Sequence, residues 1–146
     1  MDTTQLSPVI EETLHHAGFE AAALGHELRE PGHLLIGIVA MPNNVARTVL
    51  RDFGITIDML RRSVAKKYPL FDEDQSFADL DSPATFDVLH KTEQIAQQDN
   101  DHLALARLDH LLIGLIETAP VVSVIFVDFG VGTRDVLRRL DHEIAG

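Results

Sequence analysis

The residues of this sequence that could do chemistry are eight histidines, serines such as Ser7, Ser82 and Ser123, and 23 acidic side chains. Their spacing excludes most of that chemistry. A protein-bound zinc ion needs ligands that converge, as two histidines flanking a glutamate do on one helix face. His15 and His16 are adjacent, and adjacent side chains on a helix diverge by about 100°. No His-Glu-x-x-His occurs, and His33 and His110 fall at matching starts of two similar segments. The expectation is structural or solvated histidine, with no metal and no other cofactor. None of the three serines lies in a Gly-x-Ser-x-Gly elbow. Asp101-His102 and Asp109-His110 are chain neighbours whose side chains need not meet, whereas a triad requires hydrogen-bond reach supplied by the fold. Cysteine is absent, which removes disulfides, thiolate metal sites and a cysteine nucleophile. The chemistry points to a protein that is not an enzyme.

Charge narrows the partners. The 23 acidic residues against 12 Lys and Arg give a formal charge of −11, a sign repelled by phosphate backbones and anionic lipid, so neither nucleic acid nor membrane is an expected partner. The longest apolar-rich tract, Val121 to Phe129, contains Ser123 and Asp128 and is too short to span a bilayer. Met1-Asp-Thr-Thr-Gln carries no basic region leading into an apolar run, and the cytoplasm is the expected compartment. With 146 residues, 45% of them apolar, the chain fits one domain with a real core.

The elements that must position these residues come in two copies. Ser7-Pro8 is answered by Ser82-Pro83, Leu14-His15 by Leu89-His90, and His33-Leu-Leu-Ile-Gly37 by His110-Leu-Leu-Ile-Gly114. Asp52-Phe53-Gly54 is answered by Asp128-Phe129-Gly130, and Leu60-Arg61-Arg62 by Leu137-Arg138-Arg139. Five anchors in the same order are a duplication. In the first copy Ser7 can cap a helix with Pro8 at its first position, and Ile10, Leu14, Ala17, Ala21 and Leu24 give it one apolar face to about Gly25. A short helix follows from about His33 to Met41. Asn43 or Asn44 opens a third, which is expected to bury Val45, Ala46, Val49, Leu50 and Phe53 and to end at a left-handed Gly54. Thr56 caps a fourth, with Asp58 early and Arg61, Arg62, Lys66 and Lys67 late. The second copy predicts helices near 83–98, 110–118, 121–129 and 134–143, ending the third at Gly130. Val121 to Val127 has strand propensity, but its counterpart is a convincing helix and a lone buried strand would leave backbone groups unpaired, so a helix is predicted. The fold expected is all-α, eight helices in two pseudo-twofold-related four-helix repeats: one domain over 6–144, with repeats 6–68 and 82–144 joined by an acidic linker 69–81 that Leu70, Phe71, Phe77 and Leu80 could pin down.

The duplicated His-Leu-Leu-Ile-Gly block, set inside this pattern from about Leu6 to Ile144, resembles the N-terminal domain of the Clp/Hsp100 ATPases, most closely the ClpC and ClpA type. The resemblance implies a docking platform for adaptors and substrates, some of them marked by phosphorylated arginine. Implied partners are therefore Clp ATPase subunits, adaptors or substrates, in an accessory or competing role in Clp-dependent proteolysis. No Gly-x-x-x-x-Gly-Lys-Ser/Thr loop is present, so no ATP site is expected. The family pattern has Gly-Thr-Glu before His-Leu-Leu. Here Pro31 and Gly32 precede His33, losing both side-chain roles, while Leu108 and Asp109 precede His110, keeping only a carboxylate. A ligand site at Gly32 and His33 is thus weakened, and one at Asp109 and His110 keeps its charge, unless Asp109 serves as a helix cap.

Gly37 and Gly114, mid-helix at matching places, are expected at close helix crossings near the pseudo-twofold axis. The repeat register turns Arg47 into Ser123, Thr48 into Val124 and Arg51 into Val127. Positions that are polar in one copy are neutral or apolar in the other. Either the linker covers Val124 and Val127 through Phe71 or Phe77, or they form a protein-binding or homodimer surface. The competing function is an oligomerising scaffold unrelated to proteolysis.

Overall fold

A computed structural model describes residues 7–100 and 105–145; Leu6, Asp101 and His102 lie outside them. Among these described residues eight helices, four per repeat, follow in order: α1 Pro8–Ala23, α2 Pro31–Ala40, α3 Val45–Asp52, α4 Ile57–Ala65, α5 Pro83–Asn100, α6 Leu108–Thr118, α7 Pro120–Asp128 and α8 Thr133–Ala145. Ser7, Asn44 and Thr56 each cap their helix by accepting a backbone N–H three residues on, and Gly54 and Gly130 take the positive φ that ends α3 and α7. The segment 121–127 is helical. Val122, Ile125 and Phe126 recur at helical spacing and are fully buried, and that packing overrides their strand preference.

Three local expectations are corrected. α2 and α6 begin two residues before their histidines, which stand at the third helical position and bond back to the main-chain N–H of the residue preceding the helix. Val45 is 40% exposed rather than buried, since the inward stripe of α3 runs through Ala46, Val49 and Leu50. Phe53 is half-buried against the rim of the core.

The core runs through both repeats. Leu34, Leu35, Ile36 and Ile38 of α2 and Leu111, Leu112 and Leu115 of α6 are inaccessible to solvent. Among the described residues no single helix is long and apolar enough to cross a membrane. Each repeat also closes its polar groups on the other. Ser7 Oγ donates to the Ala106 carbonyl just before α6 (2.6 Å), and Thr85 Oγ1, at the start of α5, donates to the Arg29 carbonyl just before α2 (2.8 Å). At the far ends Asp52 of α3 pairs with Arg139 of α8 (2.6 Å), and Asp128 of α7 pairs with Lys67 after α4 (2.8 Å).

The chain between α4 and α5 lies along α1 and the turn that follows it. Phe71 N–H donates to the Gly25 carbonyl (2.7 Å) and Ala78 N–H to that of Gly18 (3.0 Å). Gln75 Nε2 donates to the carbonyls of His26 and Glu27. Phe77 stacks against His15 and Phe19. Gly18 makes this approach possible, because a Cβ there would stand 2.6 Å from the Ala78 oxygen. Phe71, Phe77 and the buried Ala78 hold the segment, while Leu70 and Leu80 face solvent.

Candidate functional site

His33 and His110 are each the third residue of a helix, and each folds its ring back onto the helix start. Glu30 N–H donates to His33 Nδ1 (2.8 Å) and Arg107 N–H to His110 Nδ1 (2.9 Å). Each ring thereby satisfies the main-chain N–H of the residue that precedes its helix, the service a third-position side chain gives in a capping box. Both histidines are buried. With Nδ1 accepting, the ring proton resides on Nε2, and from there the two sites diverge.

In the first repeat His33 Nε2–H donates to His26 Nδ1 (2.8 Å), which fixes the proton of His26 on Nε2, toward the Ala65 carbonyl 3.4 Å away. Tyr68 packs its ring on both imidazoles and accepts the Gly32 N–H (3.1 Å). Burial, and then the neighbouring His26, push the His33 pKa down to about 3. Burial likewise lowers His26 and raises Glu30. Gly32 itself is buried: a Cβ there would meet Val64 at 3.0 Å and Tyr68 at 3.2 Å, so α4 and Tyr68 fill the space a side chain would need. His33, His26 and Tyr68 thus form a chain of neutral donors and acceptors, and Glu30 stands beside it.

In the second repeat His110 Nε2–H donates to Asp99 (3.0 Å), holding the Asp99 carboxyl below its ordinary range. Arg107 joins the same carboxylate at 3.3 Å and grips Asp109 with two bonds, Nε to Oδ1 at 3.1 Å and Nη2 to Oδ2 at 3.0 Å. Asp109 is buried, and the helix cap is Arg107. Asp109 and His110 share Arg107, Asp109 through the guanidinium and His110 through the main-chain N–H, and His110 alone of the two reaches Asp99. The Asp109 carboxylate thus already holds a guanidinium in the two-pronged form such groups favour, and an incoming guanidinium has to displace Arg107.

Gly37 and Gly114 each meet the first helix of their own repeat. A Cβ on Gly37 would stand 2.8 Å from Thr13 Cγ2 and 3.0 Å from the Thr13 carbonyl oxygen, and one on Gly114 2.5 Å from Thr92 Oγ1. On α7, Val124 is 50% and Val127 72% exposed beside the fully buried Ile125 and Phe126; Ser123 is half-buried. The linker contacts of Phe71 and Phe77 are with α1 and the turn after it, and leave these valines uncovered. Among the described residues no group of three His, Asp or Glu could hold a metal ion. The partners His26, Tyr68, Asp99 and Arg107 carry no sequence motif; only the buried fold brings them to the paired histidines.

A family model, the Clp repeat (R) N-terminal domain, matches residues 5–129. A probable ATP-dependent Clp protease ATP-binding subunit of Chlamydia pneumoniae is 26% identical over 128 residues, spanning 86% of this chain but only 15% of that protein. Among solved structures, the N-terminal domain of the caseinolytic protease associated chaperone ClpD from Arabidopsis thaliana aligns over 100% of this chain and 98% of its own, with TM-score 0.74 and 16% identity. The Hsp104 N-terminal domain from Candida albicans aligns over 94% and 89%, with TM-score 0.71 and 20% identity.

Proposed function

The chain belongs to the Clp repeat N-terminal domain family, and from that premise we propose that it is a non-catalytic protein-recognition module that acts in the cytoplasm and docks other polypeptides through α7. The domain on this reading is 6–144, with repeats 6–68 and 82–144 and the acidic segment 69–81 as their connection. Its partners are Clp ATPase subunits, their adaptors or their substrates, and its role is that of an accessory or a competitor in Clp-dependent proteolysis. The observation that carries the reading is the exposed pair Val124 and Val127, placed where the first repeat has Thr48 and Arg51. The fold does not need apolar groups there, since Ile125 and Phe126 already supply the inward face. Phosphoarginine is a poor ligand on this geometry: Gly32 is filled over by Val64 and Tyr68, and Asp109 is occupied by Arg107.

The test is the double variant Val124→Thr, Val127→Arg, which installs the first repeat's residues. Helicity and melting should hold within about 0.5 kcal/mol, as surface changes usually do. Capture of Clp subunits or their substrates from the native cell should fall by roughly tenfold or more, since each valine buried in a contact contributes about 1.5 kcal/mol. Unchanged capture would overturn the assignment of α7. Loss of self-association alone, with no Clp component recovered by the wild type, would favour the second reading, a scaffold built on a homodimer.

A further inference from the structure

Arg47 and Arg51 stand one helical turn apart on α3 and form the cationic wall of a pocket of about 480 Å³, within the usual range for ligand sites. Val39 and Ala40 at the end of α2 and Ile57 at the entry to α4 supply its apolar wall. Neither guanidinium has a carboxylate within ion-pair reach among the described residues, although the chain carries a formal charge of −11. Arg47 Nε is buried without a hydrogen-bond partner, the one buried side-chain polar atom so left among the described residues. Buried polar groups are almost always satisfied, and the chain itself supplies this one with no acceptor.

The start of α4 adds to the same sign of charge. Thr56 Oγ1 accepts only the Met59 N–H (3.2 Å), which leaves the N–H groups of Ile57 and Asp58 without a partner inside the helix and the positive end of its dipole at the pocket. The Asp58 carboxylate turns to Arg61 (4.0 Å) and is not part of the lining. Gly54, with φ +80°, has nothing within 4 Å of its absent Cβ, so the approach stays open.

We propose that this pocket takes the C-terminal carboxylate of a polypeptide whose last side chain is aliphatic. The carboxylate faces the guanidinium groups of Arg47 and Arg51 and the start of α4. The aliphatic side chain lies on Val39, Ala40 and Ile57. An inorganic anion would leave the apolar wall unused, whereas a chain end carries both groups on one carbon. The pocket belongs to the first repeat alone, because Ser123 and Val127 replace both arginines in the second. The inference rests on the protein-recognition reading and specifies a second surface for it, separate from α7.

Fluorescence anisotropy of a labelled hexapeptide ending in two leucines, titrated with the full chain, tests it. The free acid should bind at least about tenfold tighter than the same peptide amidated, and Arg47→Gln and Arg51→Gln should each lose about tenfold, as charge-assisted bonds to carboxylates do. Arg47→Lys keeps the charge but not the guanidinium and should recover only part of the loss. Circular dichroism of each variant confirms that helicity is retained. Equal binding of acid and amide, or wild-type affinity in both glutamine variants, overturns the proposal. So does displacement of the peptide by an equal concentration of isovalerate, which would make a small carboxylic acid the ligand. If these results fail while capture through Val124 and Val127 persists, only the pocket assignment falls; if both fail, the recognition reading falls with it.

Discussion

His33 and His110 occupy the same station in two copies of one unit and perform the same backbone service, yet their surroundings share almost no chemistry. Around His33 the side-chain partners are neutral: the buried His26, which goes on to the Ala65 carbonyl, and the half-buried Tyr68. Around His110 the partners are charged, and Asp99 reaches solvent. What duplication kept is the imidazole as a helix cap. What diverged is how the second ring nitrogen is satisfied, and hence whether the site is closed or can exchange partners.

Deleting each ring is the strongest way to break the comparison. His33→Ala strands both the Glu30 N–H and His26 Nδ1 and should cost about 3 kcal/mol, since each unsatisfied buried group costs roughly 1 to 3. His110→Ala strands the Arg107 N–H, but Asp99 can turn to water, so about 2 kcal/mol is expected. Denaturant melts of the two variants decide the order, and equal losses would mean the two sockets are equally wet.

The matched glycines offer a smaller contrast. At Gly37 a methyl group runs into the Thr13 main chain as well as its side chain, while at Gly114 its nearest neighbour is the Thr92 hydroxyl. Gly37→Ala should therefore cost about 2 kcal/mol and Gly114→Ala about 1, the overpacking penalty being set against the gain in helix propensity. Thermal melting that ranked them the other way would mean α1 yields more easily than Thr92.

Acid titration sharpens the comparison with the gentlest perturbation. His33 is held near pKa 3 in the folded chain against about 6.5 unfolded. Between those values the unfolded chain binds the extra proton, so stability falls by about 1.4 kcal/mol for each unit that the pH drops below about 6.5. His26, also lowered, steepens the fall. The second repeat responds in a lower window: Asp99 is held down by His110 and Arg107, so its contribution is intact above the ordinary carboxylate range and fades as the pH falls through its folded pKa. Replacing His33 by asparagine should flatten the slope between pH 6.5 and 4.5 and leave the lower one unchanged, as followed by urea midpoints across pH.

Much of this architecture was legible before any coordinates, because it follows from short-range rules. Ser7, Asn44 and Thr56 announce helix starts, and the paired Asp-Phe-Gly turns announce where α3 and α7 end. Even the strand-like Val121 to Val127 could be assigned by its register against the first repeat. The sites were less legible, because their partners are set by packing. His26 reaches His33 across the turn between α1 and α2, and Asp99 reaches His110 from the preceding helix. Gly32 reads as a lost carboxylate in sequence but is a close contact with Val64 and Tyr68 in space. Arg47 reads as an ordinary solvated residue, and only its buried Nε shows otherwise. Composition carries no signal for an atom that lacks a partner.

The clasps between repeats have a further consequence. Ser7 reaches across to Ala106 while Thr85 reaches back to Arg29, and Asp52 grips Arg139 while Asp128 grips Lys67. Such reciprocity, in which a patch on one unit meets the equivalent patch on the other, is the mark of an isologous dimer interface. The molecule is thus a dimer on a single chain, and the covalent link frees its halves from having to be identical. Only an asymmetric pair can keep two arginines on one copy of a helix and two valines on the other.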